Sequence, residues 1–225
     1  MATYLYCVLP ADAPDPAVAG IDGAALRAIR AEGVSVWVAD VKTAPRPDLD
    51  HIREHDNVVR AALETGHTPV PIRFGQVAGS DEDVVAHLAS RDYRPDLERI
   101  AGCVEFGIRV LDPEASDAEP TVEVEDAASG PGAAHMKLLA ARMHALQRTR
   151  ARALDAARAL DADLGAWVRE TRIAPSDKPA GATVAHLVQT AAADTYVARA
   201  RELSHAHPPL RIVVTGPWPP YSFVE

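Results

Sequence analysis

Two histidines have a spacing that suggests metal chemistry. His51 and His55 lie four residues apart in a predicted helix, so their side chains project from the same side, as in a two-histidine metal site. The segment reads HIREH, which lacks the HExxH order that places a glutamate general base beside a metal, and no third ligand is evident. We therefore interpret both histidines as structural or surface residues.

Arg73 is the second candidate, within residues 68–75, TPVPIRFG. An arginine, an aromatic residue and a glycine follow a predicted strand there, which constrains both the backbone and the side chains. A catalytic role is conceivable. Because no base or nucleophile accompanies Arg73, the better interpretation is a residue that forms a salt bridge or binds a carbonyl.

Signatures of nucleophilic catalysis and of phosphate binding are absent from the sequence. There is no GxSxG motif and no phosphate-binding glycine loop, and Cys7 and Cys103 lie inside predicted strands as expected for buried thiols. The acidic residues Glu123, Glu125 and Asp126 lie in a polar segment, which favours a solvated loop over paired catalytic carboxylates. The residues thus predict no enzyme, no cofactor and no metal.

Charge and composition restrict the classes of partner. The chain has 23 Lys plus Arg against 32 Asp plus Glu, a formal net charge of −9, with no basic run. This balance disfavours nucleic acid and anionic membranes as partners. The N-terminus lacks signal-peptide features, and no stretch of about 18 apolar residues is present to span a bilayer. We expect a cytoplasmic protein.

Hydrophobic periodicity predicts an N-terminal α+β domain over residues 1–112. Residues 3–9 are apolar on both faces, as in a central strand, whereas the stretch around Leu26 and Ile29 has a mixed pattern and is assigned to no element. A helix begins at Asp48 or Asp50 and ends before Gly66. Further strands are predicted at residues 34–41, 68–74 and 103–111, and further helical segments after Ser80 and at residues 94–100.

An acidic, proline- and glycine-containing stretch at residues 113–134 predicts a linker to a C-terminal domain over residues 135–225. That domain begins with an amphipathic helix whose apolar residues recur every three or four positions. Predicted strands at 167–174 and 182–190, a helix at 191–205 and a strand at 210–215 follow. We predict an α+β fold in which each domain has an antiparallel or mixed sheet with helices on one face, the C-terminal one ferredoxin-like.

The apolar stripe of the long helix has two interpretations. It contains Met136, Leu139, Met143, Leu146, Ala153, Ala157, Leu160 and Leu164. It either packs on the sheet of its own domain or pairs with a helix of another protein, and core packing is the favoured interpretation.

Residues 216–223, GPWPPYSF, form a stiff extended segment that we name the tail. Its three prolines restrict the backbone, so Trp218, Tyr221 and Phe223 are held in place. These aromatic residues either fold back over the chain's own core or are presented to a partner. Because exposed aromatic residues promote aggregation, we expect the tail to seal the C-terminal domain.

Several segments together resemble the gas vesicle protein L and F family. They are TGPWPPYSFV at residues 215–224, which includes the tail, TPVPIRFGQV at residues 68–77, YLYCVL near the N-terminus, HDNVVRAAL from His55 and GCVEFGIRV from Gly102. The tail is the most specific of these segments. The motif positions carried over by the resemblance are Arg73, Phe74, Gly75, Gly216, Pro217, Trp218, Pro219, Pro220, Tyr221 and Phe223.

The resemblance implies a two-domain α+β protein that helps to form the gas-filled protein shell of buoyant prokaryotes. Members are regarded as minor shell components or assembly factors that engage the small hydrophobic shell protein, with no associated catalytic residues or cofactor. The resemblance also implies that other gas vesicle accessory proteins are partners. It implies that the protein is cytoplasmic before assembly and located in the gas vesicle afterwards. The alternative is an enzyme or a small-ligand-binding regulatory protein, which requires a pocket near Arg73, His51 or His55.

Overall fold

A computed structural model describes residues 2–111, 131–177, 180–206 and 209–224. The chain separates into two compact units: unit 1 comprises Met1–Glu105 and Pro217–Glu225, and unit 2 comprises Phe106–Gly216. These units differ from the predicted domains, which were divided at residues 112 and 135. Most of the strand before residue 112 belongs to unit 2, and most of the tail belongs to unit 1. Residues 112–130, which include most of the predicted linker with Glu123, Glu125 and Asp126, lie outside the described residues.

Unit 1 is built on a five-stranded antiparallel sheet with β1 (Ala2–Pro10) at its centre. One edge of β1 pairs with β3 (Val34–Val41), which in turn pairs with β2 (Leu26–Ala31). The other edge pairs with two short strands, β4 (Val70–Pro71) and β5 (Val77–Ala78). The prediction that β1 is apolar on both faces because it is central is confirmed, since its interior residues are buried.

Strand β2 is an element that the mixed pattern around Leu26 and Ile29 did not predict. It forms a hairpin with β3 in which Ala31 pairs with Val34. The two connecting residues, Glu32 and Gly33, have φ values of 52° and 77°, as a two-residue hairpin of the primed type requires. All but one of the residues of β2 are partly buried, which explains why its apolar alternation is weak.

Helix α1 (Leu49–Glu64) packs on this sheet. It begins at the N-cap Asp48, whose side chain accepts a hydrogen bond from the amide of His51, and it ends before Gly66, which has a φ of 88°. Its buried face consists of His55, Val58, Val59 and Ala62. Ile52 of the same helix is 42% exposed. Two more helices complete unit 1, α2 (Asp81–Ala89) and α3 (Arg94–Ile100).

Unit 2 has the β-α-β-β-α-β order of a ferredoxin-like domain. Its elements are β6 (Cys103–Leu111), α4 (Pro131–Leu164), β7 (Val168–Asp177), β8 (Ala180–Gln189), α5 (Ala193–Ser204) and β9 (Arg211–Trp218). The strands are arranged in the order β7-β8-β6-β9. The ferredoxin-like prediction is confirmed, and its first strand is β6, which the sequence had assigned to the N-terminal domain.

The core of unit 2 lies between the sheet and its two helices. Ala153, Ala157, Leu160 and Leu164 of α4 are fully buried, and the ring centroids of Phe106 and Tyr196 lie 4.8 Å apart. At Gly181 a Cβ atom would lie 2.2 Å from the carbonyl oxygen of Val110, so only glycine allows this approach of β8 to β6. Among the described residues, no helix has both the length and the apolar character needed to cross a lipid bilayer.

Candidate interaction site in unit 1

The segment TPVPIRFG contains a loop beside the edge of β1 that pairs with β4 and β5. The amide of Ile72 donates to the carbonyl of Tyr6, and the amide of Leu5 donates to the carbonyl of Gln76. Between these two hydrogen bonds, residues 73–75 leave the sheet as a loop that we name the RFG loop. The strand predicted over residues 68–74 is therefore too long. The chain leaves the sheet after β4, and the prolines of this segment have no amide hydrogen to donate to a neighbouring strand.

A buried hydrogen-bond network fixes the RFG loop at both ends. The amide of Gly75 donates to the hydroxyl oxygen of Tyr4 at 3.0 Å, and this hydroxyl donates to Nδ1 of His55, also at 3.0 Å. Nε2 of His55 lies 3.0 Å from the carbonyl oxygen of Ile72. Because a carbonyl only accepts, His55 carries its proton on Nε2. Gly75 has a φ of 89°, a backbone conformation that favours glycine.

His55 is a structural residue. Burial lowers the pKa of its imidazole to about 4, so the ring is neutral at physiological pH. It stacks on Tyr6 with the ring centroids 5.4 Å apart, and it meets Tyr4 and Phe74 edge to face. Since both ring nitrogens have protein partners, neither is available to a metal or a substrate.

His51 does not share a site with His55. Its Nδ1 lies 3.1 Å from the carbonyl oxygen of Arg46 and 3.0 Å from a carboxylate oxygen of Asp48. Possible ligand atoms of Asp22, His51 and Glu54 lie within 4.8 Å of one another. The amide of Asp22 donates to Glu54, so this partly exposed cluster is already hydrogen-bonded within itself. It has the ligand types of a cation site, but nothing in its geometry requires a metal.

The tail packs on unit 1. The guanidinium of Arg60 lies 4.0 Å from the ring centroid of Trp218, which is a cation–π contact, and its Nε donates to Asp56 at 2.7 Å. The other carboxylate oxygen of Asp56 accepts from the hydroxyl of Tyr221 at 3.2 Å. Helix α1 therefore holds two tail aromatic residues through one arginine and one aspartate.

The end of the tail is anchored by Glu105 and Arg99. The amide and the hydroxyl of Ser222 both donate to the buried carboxylate of Glu105, at 2.7 and 2.6 Å, and Arg99 donates to the carbonyl of Phe223 at 2.5 Å. The side chain of Phe223 is fully buried. The tail folds back on the chain as expected. The expectation that it seals the C-terminal domain is corrected, because its partners Arg99 and Glu105 belong to unit 1. These partners lie more than 100 residues before the tail, so no local pattern identifies them.

A groove opens beside the tail and the RFG loop, and we name it the tail groove. It has a volume of about 500 Å³ and lies wholly within unit 1. A neighbouring cavity of about 450 Å³ shares Arg73 and Tyr221 with it. The lining of the tail groove consists of Ile52, Arg53, His55, Asp56, Asn57, Arg73, Phe74, Trp218 and Tyr221.

The tail groove combines an apolar wall with one guanidinium that is available for binding. Arg73 is exposed and forms no hydrogen bond or ion pair with any residue that the structure describes. Ile52 and Tyr221 also remain exposed. Such a groove suits an apolar side chain that lies next to a carboxylate or a carbonyl, which Arg73 can bind.

The structure brings some of the predicted motif positions together and separates others. Four of these positions line the tail groove: Arg73, Phe74, Trp218 and Tyr221. The amide of Gly75 is part of the buried hydrogen-bond network. The tail also contains buried residues, Pro219, Pro220 and Phe223, and two exposed ones, Gly216 and Pro217. Ile52, Asp56 and Glu105 were not among the predicted site residues. Glu105 had a usable signal, since it is a carboxylate in the middle of an apolar strand.

Comparison with known proteins identifies the family. The sequence model described as Gas vesicle synthesis protein GvpL/GvpF matches residues 2–225. The chain belongs to this family. The GvpL/GvpF chain is 30% identical over 240 residues to gas vesicle protein F of Streptomyces sp. (strain CB03234), covering 100% of both proteins. It is 29% identical over 257 residues to gas vesicle protein L2 of Halobacterium salinarum (strain ATCC 700922 / JCM 11081 / NRC-1), covering 98% of this chain and 90% of that protein.

Solved structures of GvpF have the same fold as this GvpL/GvpF chain. The crystal structure of GvpF from Microcystis aeruginosa matches with a TM-score of 0.75 at 18% identity, covering 100% of this chain and 99% of that one. GvpF from Anabaena sp. PCC7120 matches with a TM-score of 0.74 at 18% identity, covering 100% and 96%. The family resemblance and the α+β fold are thus confirmed, and the chain has a role related to gas vesicles. The names of its relatives are compatible with a non-enzymatic role.

Proposed function

We propose that this GvpL/GvpF chain takes part in gas vesicle assembly by binding the hydrophobic shell protein through the tail groove. The observation that carries the proposal is the accessible apolar wall around Arg73, a guanidinium without a described partner. A shell subunit must present apolar surface toward gas, so it is prone to aggregate before assembly. A binder that covers part of this surface stabilises the unassembled subunit.

The rigidity of the groove supports this role. Its RFG loop is fixed by Tyr4 and His55, and its aromatic wall is fixed by Asp56 and Arg60. A preformed groove loses little conformational entropy when a partner binds. One or two apolar side chains of a shell subunit fit its volume of about 500 Å³, while Arg73 takes a neighbouring carbonyl or carboxylate.

Co-purification from vesicle-forming cells tests the proposal with two matched variants of α1. Ile52→Glu places a charge in the groove, whereas Leu49→Glu makes the same change on the same helix at a residue that is 70% exposed and lines neither cavity. We expect tagged wild-type protein and Leu49→Glu to recover the shell protein, and Ile52→Glu to recover about tenfold less, equivalent to about 1.4 kcal/mol. Recovery of no shell protein by the wild type, or equal recovery by both variants, contradicts the proposal.

The proposed location is cytoplasmic before assembly and in the gas vesicle afterwards, with other gas vesicle accessory proteins as proposed additional partners. Immunodetection on purified vesicles, before and after their collapse, tests the second stage. Signal on intact vesicles indicates an outer position, and signal that appears only after collapse indicates an inner one. The absence of signal from both samples restricts the role to assembly.

A further inference from the structure

Helix α4 presents an apolar stripe of which, in the part of the domain that the structure describes, only the second half is fully buried. Ala153, Ala157, Leu160 and Leu164 are fully buried against the sheet of unit 2. The first half of the stripe contains Met136, Leu139 and Met143, which are spaced three and four residues apart. Their exposed fractions are 65%, 42% and 55%. The stripe predicted from the sequence therefore serves as core over residues 153–164, whereas over residues 136–143 no described residue buries it.

The same half of α4 is basic, in contrast to the rest of the chain. Residues 131–154 contain no Asp or Glu and five cationic residues, Lys137, Arg142, Arg148, Arg150 and Arg152, while the chain as a whole has a net charge of −9. The cations are spread along the helix, so no continuous basic run marks them in the sequence. Lys137 and Arg142 are exposed beside the stripe and form no ion pair with a described residue.

We propose that residues 135–148 of α4 form a docking surface for an acidic amphipathic helix of another protein. The 3-4 spacing of Met136, Leu139 and Met143 matches the apolar seam of a helix pair, and methionine adapts readily to a partner's shape. Acidic residues flanking the partner's apolar stripe complement Lys137 and Arg142. This charge complementarity selects the partner.

Other occupants fit this surface less well. A second copy of the chain would place like charges against each other along the helix pair, which is unfavourable. Nucleic acid would neutralise the cations but leave the methionines and leucines without apolar contact. An anionic membrane would attract the helix but repel a protein with a net charge of −9.

Peptide binding measured by fluorescence anisotropy on the full chain tests the proposal. One designed helical peptide carries leucine at its seam and glutamate at the flanking positions, and a second peptide replaces every glutamate with lysine. We expect the glutamate peptide to bind at least about tenfold more tightly than the lysine peptide. We expect the double variant Lys137→Glu and Arg142→Glu to reverse this preference, and Met143→Ser to weaken both complexes. Arg158→Glu, a charge reversal at an exposed position of the buried half of the same helix, should leave the preference unchanged.

Several results would overturn the proposal. They are equal binding of the two peptides, binding of neither, and an unchanged preference in the double variant. Binding to anionic phospholipid vesicles or to duplex DNA but not to the glutamate peptide would assign the surface to those ligands. Self-association by sedimentation that is lost in Met143→Ser would assign it to a second copy. The proposal does not depend on the tail groove, so Ile52→Glu should leave peptide binding unchanged.

Discussion

Ser222 donates two hydrogen bonds to Glu105, one from its amide at 2.7 Å and one from its hydroxyl at 2.6 Å, across 117 residues of sequence. Both carboxylate oxygens are used, and Glu105 is buried. Charged hydrogen bonds of this kind are stronger than neutral ones, and removing a buried acceptor leaves its donors unsatisfied. This pair is therefore a strong polar connection between the tail and the rest of unit 1.

Glu105→Gln should loosen the tail. The substitution removes the charge and one of the two acceptors, so we expect unit 1 to lose roughly 1.5–3 kcal/mol of stability. Native-state hydrogen exchange of the β1 amides measures the opening of unit 1 separately from that of unit 2. Glu98→Gln, at an exposed position of α3, is the control and should cost less than about 0.5 kcal/mol. Equal effects of the two variants would mean that the tail is not anchored through Glu105.

Gly75→Ala should destabilise unit 1 through the backbone. Gly75 has a φ of 89°, and a Cβ atom added there would have no heavy atom of a residue other than its chain neighbours within 4 Å, so strain rather than a clash is the cause, and the cost is about 1–2 kcal/mol. Gly165→Ala is the matched control, because Gly165 also has open space but no positive φ. Hydrogen exchange of the β1 amides measures the effect of Gly75→Ala, and hydrogen exchange of the β8 amides measures the effect of Gly165→Ala. A harmless Gly75→Ala would show that the RFG loop has a different backbone conformation.

Tyr4→Phe should release the RFG loop while the sheet remains paired. The variant removes the oxygen that accepts from the amide of Gly75 and donates to His55, so we expect faster exchange at Gly75 and a cost of about 1–3 kcal/mol. Tyr6→Phe provides the reciprocal control, since the hydroxyl of Tyr6 accepts from the amide of Ile21 instead. In that variant Ile21 should lose protection and Gly75 should keep it. Loss of protection at both amides in either variant would indicate general unfolding.

His55 should make unit 1 less stable in acid. The folded pKa of about 4 lies below the unfolded value of about 6.5, so the unfolded state binds more protons between these values. The neutral ring makes its full contribution to the free energy of unfolding above about pH 6.5. This contribution is lost as the pH falls toward 4, and the total loss is on the order of 3 kcal/mol.

Comparison of wild type with His55→Gln isolates this contribution. Gln retains a donor for the carbonyl of Ile72 but does not titrate, so the stability difference between the two proteins should shrink as the pH falls from 7 to 5. His186, whose pKa is also lowered by burial, lies in unit 2 and is unchanged in both proteins. A stability difference that is constant over this pH range would show that His55 is not buried as a neutral ring.

The sequence predicted those elements whose signals are local. Strand β1 is apolar on both faces, β3 alternates with β-branched residues, and α1 has its Asp48 cap and Gly66 stop, so each was predicted within a few residues. Strand β2 was missed because most of its residues are only partly buried. The short pairing of β4 was missed because the RFG loop leaves the sheet through long-range hydrogen bonds to Tyr4 and His55.

The candidate site was predictable only in part. The tail and TPVPIRFG were recognisable as special segments, but their meeting at one groove depends on contacts of Asp56 and Arg60 with aromatic residues more than 150 positions away. The four-residue spacing of His51 and His55 predicted a shared side of α1. The spacing could not show that the ring of His55 would be buried while that of His51 stays partly exposed.

The return of the tail to unit 1 has a consequence for the order of events during synthesis. Most of unit 1 precedes unit 2 in the chain, yet Pro217 and the residues after it leave the ribosome only when all of unit 2 has been made. Domains otherwise tend to fold in order from the N-terminus. A nascent chain therefore has no Trp218 or Tyr221 to complete the groove, and only a chain translated through its tail can present that surface to another protein.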